Sequence, residues 1–209
     1  MGGTNSTVTP RIPLKPDQHP EHNMKKHILT AVLYTAITAI LLGIGYPLVI
    51  TAIARVAFPA QANGELLKNA NGDIVGSKLI GQAFTGAKYF HSRPSAAGTG
   101  YDASSSGGSN LGPTNKALAD RVQASVVSEG GTQVPVDLVT TSGSGLDPDI
   151  TPAAASFQIS RIAAQRGLSE QQVNTLIDQH TTGREFGFFG EPRVNVLELN
   201  LALDKLSTK

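Results

Sequence analysis

Asp147 and Asp149 stand two residues apart with Pro148 between them, and Ser144 lies just upstream. Two carboxylates at that spacing can hold a cation or share acid and base roles in hydrolysis. Such an Asp-Pro-Asp before Thr151-Pro152 is more often a rigid turn feeding a helix start, where nearby carboxylates favour the helix dipole. Ser142-Gly143-Ser144-Gly145 lacks the second spacing residue of a Gly-x-Ser-x-Gly nucleophile elbow. His91 and His180, far apart and without a neighbouring second ligand, read as surface or packing residues rather than metal ligands. The chain has no Cys, which removes disulfides, thiol nucleophiles and thiolate metal sites. It also has no Walker-type phosphate loop and no Asp-Lys-Thr-Gly-Thr phosphorylation motif.

These residues follow an apolar run that decides their setting. Ile28 to Ala54 contains no charged side chain. As a helix it spans about 40 Å, more than the roughly 30 Å hydrocarbon core of a bilayer. It exceeds a signal-peptide core of about 7–15 residues, and it is apolar on all faces, unlike a soluble amphipathic helix. An uncleaved transmembrane anchor over 24–56 is the expectation. Gly43, Gly45 and Pro47 within it permit close helix packing and a kink. Arg11, Lys15, Lys25 and Lys26 lie before the run, against Arg55 and then nothing basic until Lys68. That asymmetry predicts a cytoplasmic amino terminus and an extracytoplasmic domain. Residues 1–23, polar and Pro-rich, read as a disordered cytoplasmic tail, and Met24 as an alternative start.

From Ala57 onward there are 12 basic and 14 acidic side chains, net −2, so no basic surface points to nucleic acid. Residues 57–209 suffice for one domain. Glu65–Lys68 and Asp73–Ser77 flank Asn69-Ala70-Asn71-Gly72 as a hairpin, and Leu79-Ile80 and Ala83-Phe84 extend the strand-like region. The Gly/Ser-rich stretch 92–113 carries Arg93, Tyr101, Asp102 and Asn110, more than a flexible linker needs. Three helices follow. One starts at Pro113-Thr114 with Leu118, Val122 and Val126 on one face and ends at Gly130-Gly131. A second runs from Thr151-Pro152 to about Arg166, with Gly167 as its cap. A third opens on a Ser169/Gln172 capping box. Val194 and Val196 then suggest a short strand handing over to a final helix with Asn195 as cap. The fold class is α+β: one amino-terminal transmembrane helix followed by a single mixed α/β domain.

Four motifs occur in order: Phe90-His91-Ser92-Arg93-Pro94-Ser95-Ala96, Gly107-Gly108-Ser109-Asn110-Leu111-Gly112-Pro113, Ser142-Gly143-Ser144-Gly145-Leu146-Asp147-Pro148 and Phe188-Phe189-Gly190-Glu191-Pro192-Arg193-Val194-Asn195-Val196. Together with Tyr46-Pro47 and Phe58-Pro59-Ala60-Gln61-Ala62 they resemble the KdpC family, the C subunit of the Kdp potassium-transporting P-type ATPase, from about Met24 to the carboxy terminus. Asp149 departs from the His or Asn frequent in that family, and Thr151 from its Ser.

The resemblance implies an accessory subunit of a bacterial potassium pump in the cytoplasmic membrane. Its partners would be the ion-translocating and ATP-hydrolysing subunits and membrane lipid. It also implies a catalytic chaperone that raises the ATP affinity of the hydrolysing subunit, so that ATP enters only through the complex. By the aromatic-Gln-Ile-x-Arg pattern the family's suggested nucleotide contact falls on Gln158. The charge asymmetry puts Gln158 on the side opposite to cytoplasmic ATP. Arg93, Ser109, Asn110, Asp147, Arg193 and Asn195 are the motif residues expected to act structurally or towards partners, with Arg193 beside Glu191 as a candidate pair. Two other readings stay open: an anchored exported hydrolase using Asp147, Asp149 and Ser144, and a stand-alone anchored binder of a small ligand.

Overall fold

The apolar run forms a helix from Met24 to Ala57, long and apolar enough to cross a membrane, and none of it is buried within the chain. A computed structural model describes residues 24–69 and 71–207 of the protein. The expected tail over 1–23 and the turn residue Ala70 lie outside the described residues. The helix comprises α1 (Met24–Ile40), a π-helical segment (Leu41–Gly45) and α2 (Tyr46–Ala57). Proline at 47 has no N–H, and its ring crowds the carbonyl four residues back, so the regular ladder cannot continue through it. The turn before it widens instead, and the Tyr46 N–H reaches the carbonyl of Leu41. Thr38, one of several hydroxyls in this run, donates to the carbonyl of Tyr34 at 2.8 Å and is satisfied within the helix.

The chain divides into two compact units at Ile53/Ala54. The second is a mixed α/β unit. It opens with a single turn, α3 (Pro59–Ala62), and the antiparallel hairpin of β1 (Leu66–Lys68) and β2 (Ile74–Ser77). Gly72 has φ +89, the left-handed value that glycine adopts without cost, and the Asn69 side chain accepts from the Asn71 and Asp73 N–H groups. Leu79-Ile80 and Ala83-Phe84 do not extend the hairpin as strands. The Gly81 N–H donates to the Leu146 carbonyl at 2.8 Å, and a Cβ on Gly81 would sit 2.4 Å from the Asp147 carbonyl oxygen. Backbone docking onto 146–147 takes the place of strand pairing there.

Helix α4 (Lys116–Ser128) starts two residues later than the Pro113-Thr114 signal, because Asn115 caps it by accepting from the Ala117 N–H. Leu118, Val122 and Val126 share its half-buried face, and no residue of α4 is fully buried. A 3₁₀ turn (Val136–Leu138) leads to β3 (Asp149–Ile150), then α5 (Pro152–Phe157), α6 (Ile159–Arg166), α7 (Glu170–Gln179), β4 (Thr181–Thr182), β5 (Arg193–Asn195) and α8 (Val196–Ser207). The strands form one antiparallel sheet in the order β3-β5-β4. Phe90, Ile150, Ile162, Val173, Ile177, Val194, Leu199 and Leu203 meet in the core.

The single helix expected from Thr151 to Arg166 is broken at Gln158. The Gln158 side-chain Nε2 donates to the Ala154 carbonyl at 3.2 Å, the acceptor that its own backbone N–H would use in a continuous helix. That N–H turns to Ala155 instead, and the chain bends. The caps match their local signals: Thr151 accepts from Ala154, Ser169 and Gln172 form the reciprocal box, and Gly167 takes φ +65.

Candidate functional site

Three of the four motifs meet on one face of this unit. Residues 149 and 195 are register partners across β3 and β5, which places motif residues from distant parts of the chain side by side. Asn195 Nδ2 donates to Asp149 Oδ1 at 3.2 Å and to the Lys78 carbonyl at 2.9 Å. Asn195 Oδ1 accepts from the Glu198 N–H at 3.1 Å, the cap expected for the last helix. Arg193 Nε lies 3.4 Å from Asp149 Oδ2. One turn earlier, Arg93 Nη1 lies 3.3 Å from Asp147 Oδ2, and its Nη2 donates to the Thr140 hydroxyl at 3.3 Å. Asp147, Asp149, Arg93 and Arg193 thus border one small cavity of about 240 Å³, shared with Asp137 and Thr151.

The two carboxylates behave as a turn. Asp147 Oδ1 accepts from the Asp149 N–H at 3.1 Å, and each carboxylate has its own arginine. Burial, reinforced by the neighbouring Asp147, raises the carboxyl of Asp149 above its ordinary 3.8, against the opposing Asn195 bond and the charges of Arg193 and Lys78. The carboxylate at the start of α5 is Asp137, whose Oδ2 accepts from the Thr151 N–H at 2.8 Å. Ser144 Oγ accepts from the Leu146 N–H at 3.1 Å and does not line the cavity. His91 Nδ1 is 3.1 Å from Glu129, and His180 Nδ1 is 2.9 Å from the Leu176 carbonyl. Nucleophile, base and orienting group are therefore not assembled together among the described residues. Nor do those residues contain a cluster able to hold a metal.

The expected Arg193–Glu191 pair is replaced by two others. Glu191 bonds Arg184 at 2.6 Å, and Arg193 Nη2 bonds Glu185 Oε1 at 2.9 Å. Only Pro192 separates positions 191 and 193, and the preceding turn, through Arg184 and Glu185, supplies each partner instead. The Glu185 bond holds the Arg193 guanidinium above its ordinary value.

The Gly107 motif docks on the Ser142 motif through main chain. The Gly107 N–H donates to the Ser144 carbonyl at 2.8 Å and the Ser106 hydroxyl to the same oxygen at 3.1 Å. Gly145 has φ +65, and a Cβ there would fall 2.6 Å from the Gly107 carbonyl and 2.7 Å from the Ala97 nitrogen. Ser95 Oγ donates to the Gly145 carbonyl at 2.6 Å, tying in the first motif. Ser109 is half-buried, and Asn110 is exposed at φ +52. Neither lines the cavity that Asp147 and Arg193 border. In the apolar helix, a Cβ on Gly43 meets nothing within 4 Å, and one on Gly45 meets only the Ile40 carbonyl at 3.8 Å.

Gln158 is 1% exposed. Its Oε1 accepts from the His91 N–H at 2.7 Å and from Arg161 at 2.6 Å. Its Nε2 donates to the His91 carbonyl at 3.3 Å as well as to Ala154. Both acceptor and both donor positions of the amide are filled. Asn200 does the same for the adjacent residue, accepting from the Phe90 N–H at 2.9 Å and donating to the Phe90 carbonyl at 3.0 Å. Sequence reasoning missed Asn200, Arg161 and Arg166. Arg161 donates to the Ala87 and Tyr89 carbonyls at 2.6 and 3.0 Å. Burial lowers its pKa from the ordinary value. Arg166 pairs with Asp204 at 2.9 Å and lies 4.8 Å from the centre of the Tyr89 ring. The available signal was a polar residue on an otherwise apolar helix face, as Asn200 is beside Leu199 and Leu203.

The chain thus carries a helix long and apolar enough to cross a membrane and, after it, a small α/β domain whose motifs lock one another in place. Its family follows from comparison with known proteins. The model of the KdpC family, described as the K+-transporting ATPase c chain, matches residues 28–205, and the chain belongs to that family. A "Potassium-transporting ATPase KdpC subunit" of Acidobacterium capsulatum is 62% identical over 182 residues, covering 86% of this chain and 98% of that one. The proteins of the same name from Koribacter versatilis and Gemmatimonas aurantiaca are 58% and 55% identical, over 87% and 88% of this chain and 95% of each relative. The chain is accordingly an accessory subunit of the potassium pump, and partner subunits are implied.

Proposed function

We propose that the chain holds the pump together from outside the cytoplasm. The Met24–Ala57 helix anchors it in the cytoplasmic membrane, with the basic residues before Ile28 inside and the α/β domain outside. Its partners are the ion-translocating and ATP-hydrolysing subunits, and its effect on ATP affinity is exerted through the assembly. The single observation that supports this reading best is the Gln158 amide, buried with every bonding position taken inside the domain. Contact with a nucleotide would require Gln158 to abandon the His91 peptide, whereas a structural clamp requires nothing further. Arg93, Asp147, Arg193 and Asn195 brace the face on which the motifs meet.

The test has two arms. Reporter fusions after residue 60 read the side of the domain, and cytoplasmic reporter activity sinks the topology. The purified complex is then assayed for ATP dependence with and without this chain. The reading requires a lower KM for ATP when the chain is present and no ATP hydrolysis by the chain alone. Turnover by the isolated chain that disappears in Asp147→Asn would establish the hydrolase alternative.

A further inference from the structure

Residues 184–190 form a tight turn that carries three aromatic rings into solvent: Phe186 is 89% exposed, Phe188 65% and Phe189 59%. At roughly 200 Å² per phenylalanine, this is on the order of 400 Å² of aromatic surface, a patch size that on a monomer commonly marks an interaction site. The turn has a defined shape. Glu185 and Phe189 exchange two backbone hydrogen bonds, each 2.9 Å, and the Gly187 N–H donates to the Arg184 carbonyl at 3.1 Å. Gly187 and Gly190 take φ +83 and +73, and Phe186 itself is held at φ +53. A bulky residue in the left-handed region costs about 1–2 kcal/mol, and such strain persists where the surroundings fix it, often at functional positions. The Phe188 and Phe189 rings are 4.2 Å apart between centres.

The base of the turn is electrically closed. Arg184 pairs with Glu191 at 2.6 Å, and Arg193 pairs with Glu185 at 2.9 Å. Loops that seek an anionic lipid surface carry surplus Lys or Arg, and this turn has no surplus. Aromatic anchors of fixed shape inside a neutral polar rim are instead the make-up of a protein–protein hot spot. The geometry points to Phe186, Phe188 and Phe189 as a preformed knob that fills an apolar pocket on another protein subunit of the potassium pump. The pocket lies on the same side of the membrane as the α/β domain. This inference rests on the assembly reading above and names the contact within it.

The complete complex is the sample for the test. A photoreactive benzophenone analogue of phenylalanine is placed at position 188, and at the exposed Val127 of α4 as reference. Illumination should link position 188 to a partner subunit at least about tenfold more than position 127. Products formed only with lipid, or only with a second copy of this chain, overturn the assignment. In parallel, the double variant Phe188→Ser/Phe189→Ser should lower recovery of the chain with its partners at least about tenfold. Its melting temperature should match the wild type, because these side chains are outside the core. Wild-type recovery of that variant also overturns the knob. A wild-type chain that fails to co-purify at all sinks the assembly reading itself, a result distinct from a loss confined to the variant.

Discussion

Gln158 and Asn200 use their side-chain amides as a neighbouring strand would use its backbone. Each takes both the N–H and the C=O of one residue, His91 and Phe90 respectively. The segment that carries Phe90 into the core and Arg93 to the surface cluster therefore needs no strand beside it. Gln158→Leu removes the partners of two His91 groups and of Arg161. Each unsatisfied group costs about 1–3 kcal/mol, so the variant should lose roughly 2–4 kcal/mol in urea unfolding of the detergent-solubilised chain. A Leu variant as stable as wild type would mean that these bonds carry no stability and that the amide is free for a ligand. Asp149 yields a prediction of a different kind. Its pKa is raised on folding, chiefly by burial, so the native state binds the proton more tightly than the unfolded chain. The associated stability is fully present below 3.8 and is lost as pH rises through the raised native value. Asparagine cannot titrate. The stability difference between wild type and Asp149→Asn should therefore move against the wild type as pH rises through that window and then level off. Unfolding curves at several pH values measure it, and a difference that moves the other way contradicts the burial argument.

Outside the apolar core, the motif loops dock where glycine lets main chain approach main chain. Gly145 combines both demands, a positive φ and a would-be Cβ 2.6 Å from the Gly107 carbonyl. Gly143, two residues away, has nothing within 4 Å of its Cβ position. Gly145→Ala should cost about 2 kcal/mol or more from the left-handed backbone and the clash together. Gly143→Ala should stay within about 0.5 kcal/mol. Thermal melting of the two single variants checks the contrast, and equal effects would remove the close-packing account. The same elements explain what could be read without coordinates. The caps at Thr151, Gly167 and Ser169 are signals contained within four residues, and each matches the structure. Strands β3 and β4, two residues each, exist only because β5 lies between them, and no local pattern announces that. The break at Gln158 depends on His91, a partner 67 residues away. Residues 79–84 have strand-like composition but dock through Gly81, whose contact with Asp147 is again non-local. The convergence of Arg93, Asp147 and Arg193 was legible only as motifs in order, since sequence spacing does not reveal a shared cavity.

At the scale of the whole molecule the helix and the domain have separate physical roles. The domain bonds Arg93, Asp147 and Asn195 internally, while the helix leaves apolar side chains exposed along its length, Leu33, Ile37, Leu41 and Leu48 each more than half so. Lipid tails solvate such side chains as well as another helix does, so association within a membrane depends on close packing at small residues. Gly43 and Gly45 sit in the widened turn, where added side chains meet nothing within 4 Å or only the Ile40 carbonyl at 3.8 Å. A substitution there leaves the fold of this chain undisturbed and tests only what lies outside it. Gly43→Leu/Gly45→Leu should thus insert normally yet reduce recovery with the pump subunits, and potassium-limited growth should fall in parallel. The loss should be partial, about two- to tenfold, since a packing contact in a membrane is worth on the order of 1 kcal/mol and the knob of the domain contributes separately. Removing residues 1–22 should change neither readout, because nothing in their composition can form a core. Co-purification of tagged variants, together with growth at limiting potassium, measures both. Full assembly and transport by the glycine double variant would reduce the helix to a tether and leave the contact energy with the domain alone.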